Sequence, residues 1–229
     1  MTEKIAIYRG EGAWYQGVVP GKSLTAQQIV EGGWEQATSL FIMPGGRDRL
    51  FHSVLQGPGN RKIRSFVENG GTYLGICAGA YYGCAEIEFD KGTSLEICER
   101  RELCFFSGIA IGPAYGKGTF EYDSPKTIRA AHLSTRQGKF HVYHNGGCYF
   151  ADDLSSCRIL ARYCDIQGNP PAIIECKVGK GKAILSGVHL EINADALDLN
   201  EPRLSACIPL LRASEARRIR FWEKFILTL

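Results

Sequence analysis

The chain has 229 residues and nine cysteines, yet no C-x-x-C pair. The paired ligands that most zinc sites are built from are therefore missing. Cys98 and Cys104 sit six apart, and His141 and His144 three apart, in no zinc spacing. No metal and no cofactor is expected. The sequence also lacks any run of about 18 apolar residues, so no membrane span is expected. Its first residues, Met1 to Lys4, lead straight into a strand pattern and carry no secretory signal. A cytoplasmic location is the expectation, with the cysteines as thiols and mostly as small core residues. Charge of one sign is scarce: 27 basic against 24 acidic residues leave a net charge of +3. That balance argues against nucleic acid or an anionic membrane as a partner. Repeats, low-complexity tracts and linkers are absent, and one domain over 1–229 is expected. A homo-oligomer is compatible with this composition.

What the chain has is glycine, 27 of them, clustered after apolar runs. Such loops suit tight turns and close approach of backbone to a ligand. In the first half, apolar runs at Lys4–Tyr8, Ser39–Met43 and Thr72–Ile76 alternate with helical patterns. One helix is expected over Ser23–Val30. Another has Asn60 as its N-cap, an Ile63, Phe66 and Val67 stripe, and Gly70–Gly71 as its stop. Alternation of this kind implies a parallel sheet with right-handed crossovers. From Glu86 to Phe150 the pattern is β-rich, with runs at Leu103–Phe106, Ile128–Ala131 and Lys139–Tyr143. Pro171–Glu175 and Ala183–Gly187 flank a glycine turn and are expected to form a hairpin. Leu204–Leu229 is expected to be mostly helical, with Pro209 a break or a fresh start near its beginning and with Ile219, Trp222, Phe225, Ile226 and Leu229 on one face. Its Arg212, Arg217, Arg218, Arg220 and Lys224 are expected to form a solvated face.

The most informative segment is Gly75-Ile-Cys77-Ala-Gly79. A nucleophile on a sharp strand-to-helix turn needs small neighbours two residues to either side. The turn projects the side chain at the carboxyl edge of the sheet, where open α/β folds bind ligands. The helix that follows offers its N-terminus to a thiolate, and the Ala78 N–H to an oxyanion. A thiol acting on a carbonyl needs a base, and the base an orienting carboxylate. His189 and Glu191, two residues apart, share one side of an extended segment. His144 is a candidate pocket residue and His141 a structural one, while His52 and His132 give no signal. The bland alternatives are a buried structural cysteine and a surface histidine at a strand end.

The Pro44-Gly45-Gly46 loop, the Cys77 elbow and the late His189-x-Glu191 resemble the class I glutamine amidotransferase-like superfamily. Ile5–Gly10, Leu40–Asp48, Gly70–Tyr81, Val142–Gly147 and Gly179–Glu191 are more closely similar to the N-terminal domain of biotin–protein ligases, which also occurs free-standing. The likeness covers about residues 4–192. It implies an α/β fold, a flavodoxin-like three-layer α/β/α sandwich with a mostly parallel sheet and a β-rich insertion. It also implies Cys77 as nucleophile, His189 as base, Glu191 as orienter, and backbone at Gly45, Gly46 and Ala78 as the oxyanion site. Glutamine-using members carry Gln four residues after the cysteine. Here that position is Tyr81, so glutamine as substrate does not follow from the resemblance. Leu190 stands where many members have Pro. No adenylate-binding loop is found, so no biotin-ligase activity is expected.

Three functions are compatible with these residues. One is a cysteine hydrolase or amidotransferase-like enzyme cleaving a C–N bond in a small amide, with Arg9, Glu11, Arg47, Asp48, Tyr81 and His144 selecting the substrate. Another is a catalytically silent binding or regulatory module of the same fold. The third is a thiol redox or aldehyde-handling protein. For that one, Cys84, two helical turns beyond Cys77, is a poor resolving partner.

Overall fold

The chain enters on a strand buried along its whole length, β1 (Ile5–Tyr8). The structure, a computed structural model, describes residues 4–15, 20–122, 124–197, 201 and 204–227. Next come a two-residue strand β2 (Ala13–Trp14), then β3 (Lys22–Leu24) and helix α1 (Ala26–Glu31). Ser23 thus lies in a strand, not in the expected helix. The helix start is set by a capping box. The Thr25 side chain accepts from the Gln28 N–H, and the Gln28 side chain accepts from the Thr25 N–H.

There follow β4 (Leu40–Met43), β5 (Gly45–Gly46), α2 (Asp48–Leu55), α3 (Pro58–Glu68), β6 (Thr72–Ile76) and α4 (Ala78–Tyr82). Asn60 is not the N-cap of α3. Pro58 begins that helix, where a missing N–H costs nothing. Asn60 is buried inside it: Nδ2 donates to Glu102 Oε2 at 2.7 Å, and Oδ1 accepts from the Tyr82 hydroxyl at 2.8 Å.

The middle supplies β7 (Cys84–Phe89), β8 (Ile97–Arg100), β9 (Phe106–Gly112), β10 (Arg129–Thr135), β11 (Gly138–His144) and β12 (Tyr149–Ala151). Of the expected run at Leu103–Phe106, only Phe106 is strand. Leu103 and Phe105 are buried loop residues, and the Phe105 N–H is bonded to the Gly83 carbonyl at 2.8 Å. Then come β13 (Cys157–Tyr163), β14 (Pro171–Val178) and β15 (Gly181–Ser186). The last two form the expected hairpin, with Val178 opposite Gly181.

The large sheet has nine strands in the order β11-β10-β13-β14-β15-β6-β4-β1-β3. From β15 to β3 all pairs are parallel, and from β11 to β15 all are antiparallel. The β-rich middle therefore extends the central sheet and also builds a second sheet, β12-β9-β7-β8. One face of the large sheet packs Phe41, Tyr73 and Leu185 against Phe51 of α2, Phe66 of α3 and Phe106 of the small sheet. The opposite face packs Ile42, Leu74, Leu133 and Val142 against Phe221 and Trp222 of the last helix, α5 (Ile208–Leu227). Helical and β elements thus cover both faces of an α/β sandwich of flavodoxin-like type.

Of the two expectations for Pro209 the fresh start holds: it is the second residue of α5, in the first turn, where no intrahelical N–H bond is lost. The buried stripe is Ile208, Leu211, Ser214, Arg218, Phe221 and Trp222. Ile219 is exposed and so lies off it, and Leu229 and the side chains of Phe225 and Ile226 fall outside the described residues. The basic residues are not simply a solvated face. Arg212 bonds Asp195 at 2.8 Å, Arg217 donates to the Lys139 carbonyl at 3.0 Å, and Arg218 is buried. The Ser214 hydroxyl accepts from the His141 N–H at 2.8 Å. With the Arg217 bond, it occupies the outer edge of β11, which would otherwise offer free backbone groups for pairing. Among the described residues, no helix is long and apolar enough to cross a membrane.

The Asn60 network supports a prediction. Asn60→Ala leaves the buried Tyr82 hydroxyl without its acceptor, while Glu102 Oε2 keeps the Gly57 N–H, and should cost about 1–3 kcal/mol. A urea titration should show a lower midpoint at unchanged slope.

Candidate functional site

Cys77 joins β6 to α4 with φ 51° and ψ −107°, a left-handed conformation that non-glycine residues rarely adopt. Close packing of backbone explains its neighbours. A Cβ on Gly75 would lie 2.3 Å from the Gly79 carbonyl oxygen, and one on Gly79 would lie 2.1 Å from that of Met43. The Cys77 N–H bonds the Ser186 carbonyl at 2.8 Å, and the Gly79 N–H bonds that of Pro44 at 3.0 Å. The elbow is thereby tied to the ends of both flanking strands. Helix α4 has only five residues, so its dipole is small. Cys84 is not on that helix; it opens β7. The Ala78 N–H, first in the helix, has no intrahelical acceptor.

Beyond β15 the chain turns. His189 and Glu191 are placed together by this turn and not by an extended strand. The His189 N–H bonds the Tyr143 carbonyl at 2.9 Å, and its Nδ1 donates to Glu191 Oε1 at 2.7 Å. Cys77 lies on the same cleft and couples electrostatically to the ring. Trp14 and Tyr143 each meet it edge-on, with centroids 5.5 Å away. Burial alone would hold this imidazole neutral. The Glu191 carboxylate foremost, with Cys77 beside the ring, outweighs burial and raises its pKa to about 10. Gly45 is required beside it, because a Cβ there would approach His189 Cε1 to 2.9 Å.

Cys77 and His189 lie on a cleft of about 520 Å³ lined by Trp14, Gly46, Arg47, Phe120, Tyr122 and Asn145. A narrow cavity of about 50 Å³ continues inward from Cys77, between Tyr81, Ile87, Phe89 and Ile97. A larger groove of about 610 Å³, with Ser39, Thr72 and Lys180, lies at the amino ends of the parallel strands. It holds neither Cys77 nor His189, so chemistry is assigned to the Cys77 cleft.

The side chains named from sequence as substrate-binding are only partly gathered here. Arg47 lines the cleft, with its guanidinium 4.7 Å from the Tyr122 ring centroid. Tyr81 lines the inner cavity, its hydroxyl donating to the Gly146 carbonyl at 3.0 Å. Asp48 forms part of the same wall, but two Arg101 nitrogens hold its Oδ2 at 2.9 and 2.6 Å. Its charge is thus already countered. Arg9 and Glu11 are exposed and line neither cavity; Arg9 stacks on Tyr15. His144 sits behind the site, bonded through Nε2 to the Gly147 carbonyl at 3.3 Å. Burial there depresses its pKa to about 3, so it stays neutral. His141 stacks on His132 across β10 and β11 with centroids 4.4 Å apart, a structural pair.

Several contributors were not picked out from sequence: Trp14, Phe120, Tyr122, Asn145 and Arg101. Asn145 was visible as the first residue of a glycine turn. Its carbonyl accepts from Cys77 Sγ at 3.6 Å, and its side chain accepts from Thr127 Oγ1. Trp14 follows a glycine loop at the end of β1. All nine cysteines are free thiols, of which four are buried. No group of three or more His, Cys, Asp or Glu among the described residues could hold a metal ion.

The family described as "Biotin-protein ligase, N terminal" matches residues 21–229. The chain belongs to that family. It is 44% identical to an uncharacterized protein of Chlamydia muridarum over 172 residues, covering 73% of this chain and 66% of that protein. It is 33% identical to the biotin–protein ligase of Schizosaccharomyces pombe over 222 residues, covering 87% of this chain and 35% of the ligase. The chain thus spans about two thirds of one relative's length and about a third of the other's. Among solved structures, a glutamine amidotransferase superposes with a TM-score of 0.55 at 21% identity, over 85% of this chain and 87% of that one. PurLQS from Thermotoga maritima superposes with a TM-score of 0.56 at 15% identity, over 83% and 89%. These two likenesses establish the glutamine amidotransferase-like fold.

The raised His189 pKa fixes a sign. The folded protein keeps a proton that the unfolded chain releases near about 6.5. Stability from this group is complete below that pH and is lost as pH rises toward about 10. Denaturant midpoints measured across that window should fall in the wild type and fall less in Glu191→Gln.

Proposed function

We propose that this member of the biotin–protein ligase N-terminal family is a cysteine-dependent hydrolase or amidotransferase-like enzyme that cleaves a C–N bond of a small amide. The observation that carries this reading is that Cys77 and His189 line one open cleft, with the His189 ring held by Glu191 Oε1 at 2.7 Å. His189, the base of this reading, takes the proton of the Cys77 thiol and, with its raised pKa, holds it at neutral pH. The thiolate attacks the amide carbonyl carbon. The oxyanion forms beside the Ala78 N–H and the Gly45–Gly46 backbone. His189 passes its proton to the leaving nitrogen, the C–N bond breaks, and a thioester remains on Cys77. His189, now neutral, takes a proton from water. The hydroxide displaces the thiolate and releases the acid. Glu191 holds the ring in the required tautomer throughout. The cleft walls favour an amide with an apolar body: Trp14, Phe120 and Tyr122 line the opening, and Ile87, Phe89, Ile97 and Phe120 line the inner cavity beside Tyr81, Tyr122, Asn145 and the countered Asp48.

A second reading is a binding or regulatory module with the same pocket and no turnover. The match to one third of a biotin–protein ligase favours it, since a domain joined to a ligase can serve that ligase's regulation.

Alkylation of Cys77 against pH separates the two, with mass spectrometry assigning the site among nine thiols. The enzyme reading expects an apparent pKa well below about 8.5, raised in His189→Ala, and turnover of small amides that Cys77→Ser abolishes. An inert Cys77, or one indifferent to His189, leaves the binding module as the better reading.

A further inference from the structure

We propose that Arg218, on the C-terminal helix, is a positioning residue for the His189–Glu191 pair. The inference rests on the enzymatic reading for its purpose but not for its geometry. Leu190 lies between the two site residues in the turn after β15, and it is 1% exposed. Its carbonyl accepts from Arg218 Nη1. The other two donors that orient the guanidinium, Nε and Nη2, bond Glu215 Oε2 and Oε1 at 2.8 and 2.7 Å. The fork on Glu215 fixes the plane of the guanidinium, and Nη1 then fixes the direction of the Leu190 carbonyl.

That carbonyl belongs to the peptide plane leading into Glu191. Its rotation would swing the Glu191 side chain relative to the imidazole. The contact at stake is the 2.7 Å bond from Nδ1 to Oε1, which loses strength steeply with misalignment. The other end of the turn is pinned by the His189 N–H on the Tyr143 carbonyl at 2.9 Å. The two site residues are thus held from both sides, once by the edge of β11 and once by α5.

The choice of residue supports a role beyond packing. Arg218 occupies the buried stripe of α5, between Leu211 and Phe221, with its side chain 7% exposed. A buried ion pair is seldom more stabilising than apolar residues of similar volume. A carbonyl that must be both satisfied and oriented gives the guanidinium fork a function that a lysine serves poorly.

The test follows the His189 Nδ1 proton by NMR, in wild type, Arg218→Lys, the charge-neutral double variant Arg218→Met with Glu215→Gln, and Ser214→Ala. Ser214→Ala breaks the neighbouring bond between α5 and β11 and controls for loosening of the helix. The double variant should speed exchange of the Nδ1 proton about tenfold and lower the His189 titration midpoint by about one unit, a tenfold loss of proton affinity. Arg218→Lys should fall between it and wild type, and Ser214→Ala should match wild type. Unchanged exchange and titration in the folded double variant overturn the proposal. If that variant does not fold, wild-type behaviour of Arg218→Lys overturns it. Equal changes in Ser214→Ala reduce Arg218 to a structural contact and also overturn it. Cys77 alkylation, run in parallel, judges the enzymatic reading alone: an inert wild-type Cys77 defeats that reading while the Nδ1 proton still decides the role of Arg218.

Discussion

Two backbone hydrogen bonds at the elbow hold the whole site together. One runs from the Cys77 N–H to Ser186 and the other from the Gly79 N–H to Pro44. They tie the carboxyl ends of β15 and β4 to the turn after β6. Ser186 leads within three residues to His189, and Pro44 leads directly to Gly45 and Gly46. A single constraint therefore sets the thiol, the imidazole-bearing turn and the glycine loop relative to one another. Its cost is the positive φ of Cys77 and the loss of every side-chain atom at Gly75 and Gly79. The parallel pairing of β6 with both neighbours makes the constraint attainable, because all three strands then end at the same edge.

Around this point the environment is sorted by charge. His189 and Glu191 are buried together, so the low local dielectric strengthens their bond and keeps a proton on the imidazole. His144, a few residues from the same strand edge, is buried without a carboxylate and is kept neutral. Two histidines close to each other are thus driven in opposite directions, one by a carboxylate partner and one chiefly by burial, with the His189 and Arg129 charges adding to it. Asp48 is the corresponding case among the acids. Burial raises its pKa, Arg101 opposes that, and the carboxylate is left with little charge to offer a ligand.

The C-terminal helix shows why an amphipathic pattern is not purely apolar. Its buried stripe carries Ser214 and Arg218 where a packing argument would place leucines. Both face backbone groups that no strand satisfies: the His141 N–H on the outer edge of β11, and the Leu190 carbonyl in the site turn. Buried backbone groups need partners, and here a helix supplies them with side chains. The same helix thereby closes an exposed sheet edge and braces the turn that bears His189.

Much of this was legible in the order of residues. Most strand runs, the hairpin at Gly179, the elbow spacing and the His189-x-Glu191 pair follow from local sterics, periodicity and family resemblance, and they give the fold class and the candidate site, while the Leu103–Phe106 run reads as strand where the chain is mostly buried loop. Local reasoning failed where a contact comes from far along the chain. Asn60 has the composition of a cap, but it is claimed by Glu102 and Tyr82. Asp48 and Glu11 are both acids near glycine loops, yet one meets Arg101 and the other meets solvent. Arg218 looked like one of several solvated cations until the turn after β15 was placed beside it. Spacing and side-chain type are local properties, so the order of residues marks which groups could do chemistry. Which charges are already countered and which backbone groups need a partner is settled by packing, because both depend on neighbours that the chain brings together across tens of residues.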